Sequence, residues 1–158
     1  MLTHSQLLQA IEQMAITAIS AEKLMQEISD RIHAAMARYN WVGFYLPDKN
    51  DPQMLVVGPY TGSFVPHQRI PYGQGMCGAV AIGGETLVAN NVAGQHNYLA
   101  GSEMVKSEIV VPIIVRGRLA GEIDVESYFA DTFNAPADRS FVESVAAVMT
   151  RFLEKNPS

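Results

Sequence analysis

The chain is predicted to fold as a single α+β domain. Three features carry this. Apolar residues recur at three- and four-residue spacing at both ends of the chain. Segments between residues 40 and 127 are short, aromatic or β-branched, and are bounded by turn chemistry. The connections between the strongest of these segments are hairpin-like, which favours an antiparallel sheet over a doubly wound parallel one.

The elements follow in order. Leu7, Leu8, Ile11, Met14 and Ala18 mark a first helix. Ser20 caps a second, with Leu24, Ile28, Ile32 and Ala35 as its apolar stripe and Arg38 near its end, where a cation suits the helix dipole. Trp41-Val-Gly-Phe-Tyr-Leu46 reads as a strand. Pro47 to Pro52 supply a turn, and Met54 to Gly58 return antiparallel. Residues 59–78, punctuated by proline and glycine, read as one long connection. Ala79 to Ile82 form a short helix stopped by Gly83-Gly84, and Thr86 to Ala89 a short strand. Residues 90–106 are polar and irregular. Ser107–Val115 and Leu119–Ser127 are the strongest strands, joined at Arg116-Gly117-Arg118. A final helix covers residues 137–155, with Phe141, Val145, Val148 and Phe152 at helical spacing. The expected organisation is one domain over residues 1–158: helices in 1–39, sheet and pocket in 40–127, and the last helix.

Composition narrows the function. The chain has 158 residues, 48% of them apolar, and a formal net charge of −5. That balance offers no general attraction for nucleic acid or anionic membrane. No apolar run reaches the roughly 18–20 residues of a membrane-spanning helix, and the first residues lack a signal-peptide pattern. A cytoplasmic location is expected. The one cysteine, Cys77, excludes an intramolecular disulfide and a cysteine-based zinc cluster. His4 and His33 are expected on the helical surface and His67 and His96 in loops; no pair has metal-motif spacing, so no metal site and no cofactor are expected.

Acids inside apolar strands are the first chemical clue. Glu108 precedes Ile109-Val110-Val111, and Asp124 and Glu126 share one face of their strand. Two readings are open: a solvated sheet face, or a pocket in which carboxylates take an ammonium group through charge-assisted hydrogen bonds. Trp41, Gly43 and Tyr45 share a face of the aromatic strand, as core packing or as a wall over a ligand with Gly43 leaving room. Ile70-Pro-Tyr-Gly-Gln-Gly-Met-Cys-Gly78 is a glycine-rich entry to a helix that can turn backbone N–H groups toward an anion, but it is neither a P-loop nor a dinucleotide fingerprint. A helix start there would lower the Cys77 thiol pKa; the alternative is a small buried cysteine that packs like alanine.

Five segments in order resemble the GAF domain, and more closely the small free methionine-(R)-sulfoxide reductases built on it. They are Trp41 to Leu46, Gly58 to Gly62, Arg69 to Gly78, Ser107 to Pro112 and Gly121 to Ser127, with Phe133 and Asp138 continuing the similarity. The resemblance implies a GAF-like antiparallel sheet with terminal helices on one face and a pocket under long loops on the other. It also implies that Trp41, Tyr45, Glu108, Asp124 and Glu126 hold a free amino acid, with Glu126 where the family usually has Asp. The family uses up to three thiols. Cys77 matches one. His67 stands in place of another, and Leu99-Ala100-Gly101-Ser102 occupies the loop that would carry the attacking one.

Three functions remain. The first is a binding module for a small amino acid or sulfoxide without the usual thiol catalysis. The second is a reductase working through Cys77 as its catalytic thiol, with an external thiol reductant. The third is a regulatory or structural homodimer with a vestigial pocket. A homodimer through the terminal helices is expected in each.

Overall fold

The computed structural model describes residues 2–95, 98–99 and 101–157. The loop position expected for His96 therefore lies outside the described residues, as do Asn97 and Ala100.

Helix α1 (His4–Thr17) opens on a capping box, in which Thr3 accepts from the Gln6 N–H and the Gln6 side chain accepts from the Thr3 N–H. Helix α2 (Ala21–Ala35) is capped by Ser20, whose hydroxyl accepts from the Lys23 N–H at 3.1 Å. It ends before Arg38, whose guanidinium instead lies 5.0 Å over the Phe129 ring. His4, expected at the surface, is half-buried: it stacks on Phe141 and lies 3.3 Å from Asp138.

The strands are β1 (Trp41–Pro47), β2 (Met54–Gly62), β3 (Arg69–Pro71), β4 (Leu87–Ala89), β5 (Ser107–Val115) and β6 (Arg118–Ser127). They form one antiparallel sheet in the order β3-β2-β1-β6-β5-β4. The long connection expected over 59–78 is thus broken up. Strand β2 runs on through Pro59 because the register slips by one residue between Gly43 and Tyr45, where a β-bulge accepts a residue without an N–H. Strand β3 is a three-residue edge strand ending at Pro71, too short to show periodicity. Helix α3 (Gly75–Gly83) starts four residues earlier than Ala79 and ends at Gly84, whose left-handed φ of 69° only glycine adopts readily. Helix α4 (Pro136–Lys155) begins with proline in its first turn.

Period-two alternation divides the sheet. Val42, Phe44, Ile109, Val111, Ile113, Ile123 and Val125 face α1, α2 and α4 in the main core. Trp41, Tyr45, Leu55, Ile70 and Val110 face the other way, under α3. Among the described residues no helix is long and apolar enough to cross a membrane.

Candidate functional site

Strand β6 carries Glu122, Asp124 and Glu126 at alternate positions, so all three belong to the α3 side of the sheet. Pairing sets their neighbours. On β1, Trp41 lies opposite Glu126, Gly43 opposite Asp124 and Tyr45 opposite Glu122. On β5, Glu108 lies opposite Glu126 and Val110 opposite Asp124. None of the four acids is solvated: Glu108 is 4% exposed, Glu122 0%, Asp124 2% and Glu126 4%. The solvated-face reading is overturned.

Glu108, Asp124 and Glu126 line one small cavity together with Cys77, Gln74, Gly75, Met76, His67, Leu99 and Gly101. Its described lining includes no lysine or arginine. Burial is the largest cause pushing the Asp124 and Glu126 carboxyls well above the usual range, and neighbouring acids add to it. Burial also raises Glu108. Like charges opposed across a ladder are unfavourable, so the cluster favours proton uptake or a cationic partner.

Trp41 and Tyr45 lie on the same side of the sheet as the acids but do not line the cavity: both are packed into the second apolar cluster. The Trp41 ring stacks on Tyr60 and Phe64, with centroids 5.3 and 5.8 Å away. Gly43 makes room for that ring and not for a ligand, since a Cβ there would lie 2.5 Å from Trp41 Cη2. The indole Nε1 is buried without a hydrogen-bond partner. Tyr45 donates its hydroxyl to the His67 carbonyl at 3.2 Å, and burial followed by the Asp124 charge raises its phenol.

The glycine-rich entry serves close packing. A Cβ on Gly78 would meet the Pro71 carbonyl at 2.7 Å, and one on Gly75 would meet Leu99 Cβ at 2.7 Å. The first turn of α3 still reaches the cavity through Gly75 and Met76. Cys77 sits in that turn, but its thiol is not activated. It is buried and donates to Asp124 Oδ2 at 3.6 Å. Burial first, then the charges of Asp124, Glu122, Glu108 and Glu126, push the thiol pKa up, which reverses the lowered value expected at a helix start. The burial comes first, and the acids that add to it come from β5 and β6, distant in sequence.

In the loop where the resemblance expects an attacking thiol, Ser102 Oγ accepts from the Met104 N–H at 3.2 Å. Gly101 sits over the acids: a Cβ there would lie 3.3 Å from Glu126 Oε1.

Glu122 escaped the sequence reading. It extends the same two-residue alternation one step before Asp124, and that was the available signal. Burial pushes its carboxyl well above the usual range, with the Cys77 thiol opposing the shift. Apart from that thiol, neither oxygen has a hydrogen-bond partner among the described residues.

Residues 18–154 match the family model of the GAF domain. The chain belongs to the GAF domain family. Within it, this GAF domain is similar to "Free methionine-R-sulfoxide reductase" of Saccharomyces cerevisiae, with 34% identity over 113 residues, or 71% of this chain. The match spans 62% of that relative, less than two thirds of its length. Among solved structures, free methionine-R-sulfoxide reductase from Neisseria meningitidis, in complex with its substrate, superposes with a TM-score of 0.89 at 28% identity, covering 96% of this chain and 88% of that one. The reduced fRMsr of Staphylococcus aureus gives 0.86 at 25% identity, covering 97% and 99%.

Proposed function

We propose that this GAF domain binds a small free amino acid of the methionine or methionine sulfoxide type, and that it does so without the reductase cycle of its relatives. The observation that carries the reading is the convergence of Glu108, Asp124 and Glu126 on one buried cavity with no lysine or arginine in its described lining. An ammonium group entering there supplies the missing cation and lets the carboxyls ionise against it. The ligand carboxylate has a partner in the first-turn N–H groups of α3, which have no acceptor within the helix.

Cys77 argues against turnover. In sulfoxide reduction a thiolate attacks sulfur, oxygen leaves with the cysteine as a sulfenic acid, and a second thiol resolves it to a disulfide and water. The chain has one cysteine, and its thiol is held protonated by burial and by acids. An external thiol reductant would have to reach a sulfur closed off from solvent.

The cavity volume of about 20 Å³ also sets a condition on binding. It is far below the roughly 300–1,000 Å³ of a small-molecule pocket. An amino acid enters only as Leu99 and Gly101 part from Gly75 and Phe64. The homodimer belongs to the same proposal, since Ile16 and Ile19 on and beside α1 are 73% and 85% exposed. Sedimentation giving a monomer at high micromolar concentration would remove it.

The test is calorimetry with free methionine, its (R)-sulfoxide and N-acetylmethionine. Acetylation removes the ammonium charge and should weaken binding by about 1.5–3 kcal/mol, roughly ten- to a hundredfold. Equal affinity for the free and acetylated forms would end the ammonium reading. Turnover with dithiothreitol that disappears in Cys77→Ser would replace the binding module by a one-cysteine enzyme. Gly101→Cys should introduce some activity once the Phe64 ring yields, because a Cβ at 101 would lie 2.6 Å from Phe64 Cε1 and 3.3 Å from Glu126 Oε1 over the cavity.

A further inference from the structure

The ammonium reading leaves Cys77 without a role, although it is buried against the same acids. The Cys77 sulfur, one Glu108 oxygen and one Asp124 oxygen lie within 4.8 Å of one another, and all three residues are buried. Asp124 Oδ1 is buried with no hydrogen-bond donor among the described residues. The cavity of about 20 Å³ fits a water-sized body, for which roughly 10–15 Å³ suffices.

We propose that Cys77, Glu108 and Asp124 form a site for a thiophilic divalent cation of the Zn²⁺ class. The donor set selects the metal class. Mg²⁺ and Ca²⁺ take oxygen ligands in sixfold or higher coordination, whereas a thiolate with carboxylates in a close fourfold arrangement suits Zn²⁺ or its softer analogue Cd²⁺. Binding forms a metal–sulfur bond and releases the thiol proton to solvent, together with any proton held by the coordinating carboxyls. Histidine spacing gave no hint of such a site, because it contains no histidine among its donors.

This inference does not rest on the ammonium reading. The two occupants share Glu108 and Asp124, so each excludes the other.

The experiment is titration of the chelator-treated protein with Cd²⁺, followed by thiolate-to-metal charge-transfer absorption in the ultraviolet, with Zn²⁺ as competitor. One equivalent should saturate the band, and Zn²⁺ should abolish it. Zn²⁺ at a hundredfold excess over Kd should raise Tm by about 5 °C or more. Cys77→Ser should lose both the band and the Tm shift while keeping its far-ultraviolet dichroism. Glu108→Gln keeps the thiol and should weaken Cd²⁺ binding at least tenfold. Absence of the band in folded wild type at stoichiometric Cd²⁺ overturns the site, as does a Zn²⁺ shift undiminished in Cys77→Ser. An unchanged affinity in Glu108→Gln overturns it too. The N-acetylmethionine comparison is independent of all these outcomes, so the two readings fail separately.

Discussion

The two faces of the sheet come from the same strands and are buried alike, yet they do opposite things. On the helix side, β1, β5 and β6 present Val42, Phe44, Ile109, Val111, Ile123 and Val125 to one apolar core. On the α3 side the alternate residues are Trp41, Tyr45, Glu108, Glu122, Asp124 and Glu126. The first face lowers the free energy of folding through apolar burial. The second raises it, since carboxyls are withdrawn from water with too few partners. A period of two lets one strand serve both ends residue by residue, so the stability of the first face supports the electrostatic strain of the second.

The sharpest way to break this comparison is Phe44→Ala. The ring is fully buried in the helix-side core. Its loss should cost about 3–5 kcal/mol in urea unfolding. A cost below about 1 kcal/mol would show that the helix-side face is not where stability resides.

Glu122→Met should act in the opposite direction. It replaces a buried acid with an apolar side chain of similar length, and a gain of about 1–3 kcal/mol is expected. The gain should be larger at pH 8 than at pH 5. In the unfolded chain these carboxyls titrate at about 4; in the folded protein they keep their protons to higher pH. The folded state therefore binds more protons over that window, and wild-type stability falls as pH rises through it. Urea melts across pH 5–8 that are flat, or that slope upward, would contradict this.

Gly43→Ala tests the border between the faces. Its Cβ would meet Trp41 Cη2 and Tyr60 Cβ at 2.5 Å. An overpacking cost of about 1–3 kcal/mol is expected in thermal unfolding, with Trp41 fluorescence shifted; a neutral result would mean the aromatic stack yields freely.

Arg139→Ala supplies the baseline. It removes a largely exposed ion pair with Glu143 at 3.6 Å within α4, and the same melts should change by no more than about 0.5 kcal/mol.

How legible each region was follows the same division. Strands β5 and β6 stood out because long apolar runs met at Arg116-Gly117-Arg118, and β5 spans Ser107–Val115 as read. Glu108, Asp124 and Glu126 were visible because an acid within such a run is conspicuous. Strand β3 and the outer half of β2 were hidden, because Pro59 and Pro71 argue against a strand wherever a bulge or an edge cannot be foreseen. Of the two readings of Cys77, the buried cysteine holds and the lowered thiol pKa does not, for a different reason. Local sequence places it at a helix start, while its environment is set by burial and by acids on β5 and β6 that only the folded sheet brings near.

Strand β1 is joined locally to β2, and β6 locally to β5, but the β1–β6 join pairs Trp41 with Glu126 across most of the chain. Such long-range pairing is expected to form after the local hairpins, because loop closure precedes the contacts that reward it. Until then the β6 edge is exposed to water, where Glu122, Asp124 and Glu126 ionise. An edge strand bearing like charges resists docking with the same strand of another molecule. We expect the acids that strain the finished sheet to act as gatekeepers against aggregation while it is being assembled.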